Sequence, residues 1–185
     1  MKIYALCDAA MIASKNITLE DFIKRCYELD VQIIQYRNKN SDISVIKNDL
    51  VHLRKLWDRF LIINDYYELS SFCDGVHIGQ DDIASIDANP QKAIKILQLA
   101  IGEDKIIGLS THNADEIKIA NTLDINYIGL GAYRATTTKD DASVLAENLD
   151  ELAASSIHPV GAIGGVRLDD KFKNVTYLVV GSGLF

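Results

Sequence analysis

Three polar side chains alternate directly after an apolar, strand-like run that begins at Val31. Gln35, Arg37 and Lys39 are spaced two residues apart, so they point to the same side if the strand continues that far. Arginine binds phosphate oxygens as a bidentate fork and lysine binds them as a point charge, so the set suits a diphosphate. The alternative is a solvated strand end, where charged side chains are common.

Acidic and amide side chains follow the next two strand-like runs. Asn64 and Asp65 end one run, and Asp81 and Asp82 follow the other. Carboxylates at neighbouring strand ends, beside phosphate-binding cations, are the hard oxygen ligands that Mg²⁺ prefers. Asp65 and Asp82 are therefore candidate metal ligands, and helix capping is the alternative role for both.

A second group of residues suits a phosphate monoester. The segment from Thr136 to Lys139 offers hydroxyls, backbone N–H groups and one ammonium, and it is too polar for a core. The pair Gly164-Gly165 and the turn starting at Gly181 follow the last two strand-like runs. In a parallel barrel, the loops after strands seven and eight often bind phosphate. Tight turns alone would also explain these glycines.

Histidine and serine add less specific signals. His77 lies within a strand-like run, so a packed role is favoured over a catalytic one. Ser110 and His112 follow the fifth run, where a polar contact with substrate fits better than a Ser-His triad. The four histidines show no metal-ligand spacing.

Strand-like runs recur every 20 to 25 residues or so, with helix signals between them, which is the rhythm of βα units. Most runs are continuously apolar, as in strands that are covered on both faces. The predicted strands are Ile3–Cys7, Val31–Tyr36, Phe60–Asn64, Gly75–Ile78, Lys105–Leu109, Tyr127–Leu130, Val160–Ile163 and Tyr177–Gly181. Helix caps are predicted at Thr18 and Asn113, and Pro90 suits a first helical turn.

Eight strands with intervening helices predict a (β/α)8 TIM barrel. A Rossmann-like sheet is less favoured, because the first βα turn lacks GxGxxG. Between the last two strands only residues 168–173 remain for a helix, enough for one or two turns, and four residues follow Gly181. We therefore expect a barrel shortened at its C-terminal end, with a short seventh helix and no eighth helix. The apolar groove left in this way predicts a homodimer that covers it.

Composition is that of an ordinary globular protein, with 48% hydrophobic and 24% charged residues. The 185 residues are expected to form one domain, 1–185. A net charge of −7 makes nucleic acid and anionic membranes poor candidate partners. No apolar run is long enough to span a bilayer, and three cysteines without a CxxC pair indicate buried thiols. A cytoplasmic location is predicted.

Taken in order, these motifs resemble those of thiamine-phosphate synthase, a (β/α)8 enzyme, over nearly the whole chain. The motifs are Gln35-x-Arg37-x-Lys39, Asn64-Asp65, the segment Asp74 to Asp82, Thr136-x-Thr138-Lys139 and Ile163-Gly164-Gly165. The family joins hydroxymethylpyrimidine diphosphate to a thiazole phosphate and releases diphosphate. The resemblance implies that the pyrimidine cation forms by ionisation and is captured by the thiazole nitrogen, without a protein nucleophile.

The resemblance also implies roles for individual residues. Catalytic charge neutralisation would come from Arg37, Lys39, Lys139 and Mg²⁺, with the metal on Asp65 and Asp82. Substrate would be bound by Gln35, Asn64, Ser110, Thr136, Thr138, Gly165, Gly181 and Ser182. One departure is Tyr133-Arg134-Ala135, since the family usually has proline before the Thr-x-Thr-Lys motif.

Two other functions share much of this pattern. The related thiazole tautomerase has the same barrel and a thiazole-phosphate site, and His112 could act as its acid–base residue. It has no use for the Mg²⁺ pair or for the diphosphate clamp. A non-catalytic protein that binds thiazole or thiamine phosphate is the third hypothesis, and it would not need a leaving-group apparatus. The synthase is therefore favoured.

Overall fold

The computed structural model describes residues 1–135 and 144–185. Eight parallel strands close into a barrel in chain order, each paired with the next and β8 with β1. They are β1 (Lys2–Asp8), β2 (Ile33–Arg37), β3 (Phe60–Asn64), β4 (Gly75–Ile78), β5 (Ile106–Thr111), β6 (Tyr127–Leu130), β7 (Val160–Ala162) and β8 (Tyr177–Val180). The predicted TIM barrel is confirmed, with three of the eight strands at their predicted bounds.

Helices lie between the strands and cover the barrel. They are α1 (Ala9–Ser14), α2 (Leu19–Glu28), α3 (Ile43–Leu56), α4 (Gln80–Ile86), α5 (Pro90–Ile101), α6 (Ala114–Ala120) and α7 (Asn148–Ala153). Two 3₁₀ turns, Tyr67–Phe72 and Ser182–Leu184, follow β3 and β8. No helix in the described part of the chain is long and apolar enough to cross a membrane.

The helix starts follow from local chemistry. Thr18 accepts a hydrogen bond from the Asp21 backbone N–H at 3.1 Å, and the Asp21 carboxylate accepts one from the Thr18 N–H, which forms the predicted capping box. Asn113 caps α6 in the same manner through the Glu116 N–H at 2.9 Å. Behind its cap, α2 buries Phe22 against the barrel. Burying a side chain of that size contributes roughly 1.5–3 kcal/mol.

The two faces of each strand serve two separate cores. On β1, Ala5 and Cys7 face the helices and belong to the large outer core, which also contains Phe22. Tyr4 and Leu6 alternate with them and point into the barrel. The interior cluster combines Tyr4, Leu6, Ile33, Ile62, Tyr127 and Val179. A barrel of eight strands is just wide enough for side chains to fill its interior.

The end of the barrel differs in detail from the prediction. Residues 163–176, all of which the structure describes, connect β7 to β8 through turns and contain no helix. Carboxylates hold this connection: Asp150 accepts from the N–H groups of Lys173 and Asn174, and Asp170 accepts from the Arg167 N–H. These bonds satisfy backbone groups that a helix would otherwise pair. The helix predicted over 142–154 is seen from Asn148 onward, and residues 136–143 lie outside the described part.

Candidate active site

A cavity of about 540 Å³ opens at the carboxyl ends of the strands. A parallel barrel brings all its strand ends to one face, so residues far apart in sequence meet there. Every predicted site residue that the structure describes lines this cavity: Gln35, Arg37, Lys39, Asn64, Asp65, Asp82, Ser110, Gly165, Gly181 and Ser182. The other three, Thr136, Thr138 and Lys139, lie outside the described residues.

Arg37 is held in place by an aspartate that sequence reasoning missed. Asp8 ends β1 directly beside Arg37 in the strand register, and its Oδ2 accepts a hydrogen bond from the arginine. Its Oδ1 caps α1 by accepting from the Met11 N–H at 2.9 Å. Asp8 is only 6% exposed, so its carboxylate is itself held in place and fixes the orientation of the Arg37 guanidinium. The available signal was that β1 ends in a polar residue, as β2, β3 and β5 do.

Lys39 and Asp65 form the second charged contact of the cavity. The Lys39 ammonium lies 3.2 Å from Asp65 Oδ2. Asp65 has a φ of 65°, in the left-handed region that few non-glycine residues adopt. Its N–H donates to the His77 carbonyl at 2.9 Å, which ties the end of β3 to β4. This backbone geometry turns the carboxylate toward the cavity and does not cap a helix.

Asp82 caps the start of α4, which was the alternative role considered for it, and it also lines the cavity. Its Oδ2 accepts from the Gly79 N–H at 2.7 Å at the start of α4. Burial raises the pKa of the Asp65 carboxyl, the Lys39 ammonium lowers it, and the negative charge of Asp82 raises it again. The net direction is upward, so the site disfavours the charged form of Asp65. Such a carboxylate pair is stabilised by a cation.

A buried polar network lies deeper in the barrel. Ser110 Oγ is 3.0 Å from His77 Nε2, and His77 Nδ1 is 2.9 Å from the Tyr127 hydroxyl. The network continues through Tyr4 to Gln35. Burial lowers the pKa of His77 to about 4, so its ring is neutral at physiological pH. Sequence reasoning treated His77 as packed; it is buried, and it also contacts a site residue.

The turns at Gly165 and Gly181, after β7 and β8, form the wall of the cavity opposite the charged residues that follow β3 and β4. Gly165 has a φ of 66°, and a Cβ added there would lie 2.8 Å from the Cβ of Arg134. Arg134 donates to the Gly165 carbonyl at 2.8 Å and pairs with both oxygens of Asp170 at 2.7 Å. The loop after β6 is therefore fastened to the loop after β7. Arg134 belongs to the segment in which this chain departs from the family pattern, and its role was not predicted.

His112 lies at the edge of the same cavity. Its Nδ1 is 2.9 Å from Glu116 Oε2, and the same oxygen accepts from the His112 backbone N–H. Glu116 follows Asn113 at the start of α6, so the helix cap also orients the imidazole.

Fold and cavity together place the chain among the parallel (β/α)8 barrels that carry a charged site at the carboxyl ends of their strands. The family described as thiamine monophosphate synthase matches residues 3–176. The chain belongs to this family.

Individual relatives agree with that assignment. A thiamine-phosphate synthase of Lawsonia intracellularis is 34% identical over 172 residues, which cover 89% of this chain and 74% of the relative. One from Persephonella marina is 31% identical over 185 residues, 97% of this chain and 81% of the relative. The solved thiamine phosphate pyrophosphorylase from Pyrococcus furiosus superposes with a TM-score of 0.77. At 24% identity, covering 98% of this chain and 85% of the other, it supports the fold.

Proposed function

We propose that this protein is a thiamine-phosphate synthase, a transferase of thiamine biosynthesis. It would couple hydroxymethylpyrimidine diphosphate with thiazole phosphate and release diphosphate. The observation that carries the proposal is the single cavity in which Arg37, Lys39, Asp65 and Asp82 gather on one side and Gly165 and Gly181 on the other. Family membership and the relatives named above support the same activity.

The diphosphate would bind on the charged side. Asp8 presents the Arg37 guanidinium in a fixed orientation, which lowers the entropy lost when it grips a phosphate. The Lys39 side chain is 54% exposed, so its ammonium can leave Asp65 for an incoming anion. Lys139, outside the described residues, is proposed as a third cation. Together these charges would stabilise the leaving diphosphate as its charge develops.

Asp65 and Asp82 are proposed to hold Mg²⁺. The donor set fits this ion, because two carboxylates face one cavity and the charge of Asp82 acts on the pKa of Asp65. The described residues contain no group of three or more His, Cys, Asp or Glu that could hold a metal. Mg²⁺ commonly binds through one or two carboxylates, with water and substrate phosphates as its other ligands. When bound, it would neutralise charge on the diphosphate.

The two organic rings would occupy the centre and the glycine side. Gln35, Asn64 and Ser110 are proposed to orient the pyrimidine. Backbone N–H groups near Gly165 and Gly181 suit the thiazole phosphate, and Thr136 and Thr138 are proposed to join them. The C–O bond to diphosphate breaks with its electron pair leaving on oxygen, and the thiazole nitrogen supplies the pair for the new C–N bond. Holding both rings in contact would supply much of the rate.

A coupled assay tests the function. Purified protein is mixed with Mg²⁺ and both substrates, and thiamine phosphate is detected as fluorescent thiochrome after oxidation. We expect product that disappears with EDTA and with Asp65→Asn. Asp87→Asn is the matched control, because Asp87 pairs with Lys92 at 2.5 Å and does not line the cavity. Absence of product from folded wild-type protein would reject the synthase.

The tautomerase is the second candidate, favoured by one observation. The His112 ring is oriented by Glu116 at the cavity edge, as a proton-transfer residue would be. Under this alternative the protein would isomerise a thiazole phosphate without Mg²⁺ and lose that activity on His112→Gln. Binding of thiazole phosphate without either reaction would indicate the third hypothesis, a non-catalytic binding protein.

Assembly and location are further proposals. We propose that residues 1–185 act as one domain and form a homodimer that covers the surface beside α2 and β8. Phe185 packs on Phe22 with ring centroids 5.9 Å apart and keeps 46% of its surface exposed, which supports an apolar contact there. Light scattering after gel filtration would show a monomer if this is wrong. The three cysteines are buried and unpaired, which supports the cytoplasm as the location.

A further inference from the structure

Four hydrogen bonds cross the interior of the barrel and join two side chains of the cavity. Gln35 Nε2 donates to the Tyr4 hydroxyl at 2.8 Å, and Tyr4 meets the Tyr127 hydroxyl at 2.7 Å. Tyr127 then meets His77 Nδ1 at 2.9 Å, and His77 Nε2 meets Ser110 Oγ at 3.0 Å. Both ends line the cavity, whereas Tyr4 and Tyr127 do not. We call these five residues the interior chain.

Proton counting gives the interior chain a direction. Each phenol and each neutral imidazole has one hydrogen to donate. The amide of Gln35 donates to Tyr4, and in the described contacts Tyr127 is the acceptor left for the Tyr4 hydroxyl hydrogen. Tyr4 therefore donates to Tyr127, and Tyr127 donates to His77 Nδ1. With Nδ1 accepting, the ring hydrogen sits on Nε2 and is donated to Ser110 Oγ. The serine hydrogen is then directed away from His77, to the cavity.

The opposite direction requires a different amide orientation. If Ser110 donated to His77, every hydrogen would reverse, and Tyr4 would need an acceptor in place of the Gln35 NH₂ group. Within the described part of the chain, the Gln35 carbonyl oxygen, turned to face Tyr4, is the group that could supply it. The structure has the amide nitrogen there, 2.8 Å from the phenol oxygen. The tautomer of His77 therefore reports which arrangement the protein adopts.

Two glycines make the interior chain possible. A Cβ on Gly108 would lie 2.1 Å from the Tyr127 ring, and one on Gly129 would lie 3.1 Å from the His77 ring. These strand positions lack side chains where the two rings need the space.

We propose that the interior chain is a one-directional hydrogen-bond relay in which Tyr4 and Tyr127 are positioning residues. It fixes His77 as the Nε2–H tautomer and makes Ser110 a hydrogen-bond donor to the ligand. At the other end, Gln35 keeps its carbonyl oxygen for the cavity. On the proposed function, the site selects a ring that presents an acceptor to Ser110 and a donor to Gln35, as an aminopyrimidine does.

Nuclear magnetic resonance of the ligand-free, ¹⁵N-labelled protein tests the direction. Long-range ¹H–¹⁵N correlations identify which ring nitrogen of each histidine carries the hydrogen, and the His77 signals are those lost in His77→Gln. We expect an Nε2–H tautomer for His77. An Nδ1–H tautomer would overturn the proposal. This measurement needs no substrate, so it is independent of the proposed function.

Two phenylalanine variants test the positioning role. Tyr127→Phe removes the hydroxyl that donates to His77 and keeps the ring, so we expect the tautomer preference to be lost. Tyr177→Phe is the matched control, because Tyr177 packs against both other tyrosines and makes none of the four hydrogen bonds. An unchanged His77 tautomer in folded Tyr127→Phe would overturn the relay. The melting curve of each variant verifies that it is folded.

Kinetics add a second readout. In Tyr127→Phe we expect the KM for the pyrimidine diphosphate to rise about tenfold, since an orienting hydrogen bond is lost. The KM for thiazole phosphate and the parameters of Tyr177→Phe should stay at wild-type values. Equal effects on both substrates would indicate general loosening of the barrel and reject the positioning role. If the wild type has no synthase activity, the proposed function fails while the tautomer measurement still decides the relay.

Discussion

Replacing Gly165 by alanine gives the sharpest test of the glycine wall. Gly165 has a φ of 66°, where an alanine methyl group approaches the next carbonyl, and the new Cβ would lie 2.8 Å from the Arg134 Cβ. Arg134 has little freedom to retreat, because Asp170 holds its guanidinium with two bonds of 2.7 Å. Both effects act on the backbone that is proposed to bind phosphate.

The expected loss of stability comes from the backbone strain and from the close contact with Arg134. A left-handed non-glycine residue costs roughly 1–2 kcal/mol, and overpacking typically adds about 1–3 kcal/mol. A loss of about 3 kcal/mol in the free energy of unfolding corresponds to about 6–12 °C in Tm for a chain of this size. If the turn relaxes by rotating one N–H away from the phosphate, a charge-assisted hydrogen bond of about 1.5–3 kcal/mol is lost. The KM for thiazole phosphate should then rise by about 10- to 100-fold.

The assay combines calorimetry with steady-state kinetics in which each substrate is varied in turn. Gly165→Ala should lower Tm and raise the KM for thiazole phosphate, with the KM for pyrimidine diphosphate near its wild-type value. The control is Gly102→Ala. Gly102 has a φ of 105° at the end of α5, and it does not line the cavity. It should lose stability without any change in KM.

Either of two results would refute this reasoning. A Gly165→Ala protein with wild-type Tm would mean that the turn adopts another backbone conformation. A lowered Tm with unchanged KM for thiazole phosphate would mean that the turn does not bind that phosphate. In the second case the phosphate site would have to lie elsewhere on the barrel.

Three further predictions concern charge and cooperativity. The pKa of Asp65 is raised in the folded state, so the ionised carboxylate lowers the free energy of unfolding. This destabilisation is present at neutral pH and is relieved as the pH falls through the folded-state pKa. Asp65→Asn should therefore raise the Tm of the metal-free protein at pH 7 while abolishing activity, and a lower Tm would contradict this. Arg134→Gln and Asp170→Asn should show a coupling of about 0.5–1 kcal/mol in the free energy of unfolding, measured by a double-mutant cycle. The coupling is small because the Arg134 side chain is 37% exposed to solvent. Additive effects of the two substitutions would show that the ion pair does not contribute to stability. A single calorimetric transition is expected for the ligand-free chain, and two resolved transitions would reject the one-domain proposal.

Much of the fold was predictable because its signals are local. The capping box at Thr18 and the cap at Asn113 depend on residues three positions away, so the sequence alone determines them. The strands are continuous apolar runs, and β3, β4 and β6 were predicted at their observed bounds. Local capping signals cannot show that a connection has no helix, and a short helix was wrongly predicted between β7 and β8. The link between β7 and β8 was misjudged because Asp150, on a different element, satisfies its backbone.

The residues that line the cavity were also predictable from the sequence. Once the strands are parallel and the barrel is closed, the residues at the carboxyl end of each strand and just after it reach the same face. Gln35, Asp65, Ser110 and Gly165 come together for that reason, although each lies on a different strand or loop.

Partners within the site were decided only by the tertiary structure. Asp8 meets Arg37 because β1 and β2 pair in one particular register, and Tyr4 meets Tyr127 across 123 positions of sequence. Neither contact has a local sequence signal, since side chains that point into a barrel meet according to strand shear and closure. The sequence placed the charged groups at one face of the barrel. Register and closure determined which of them hold one another and which remain available to a substrate.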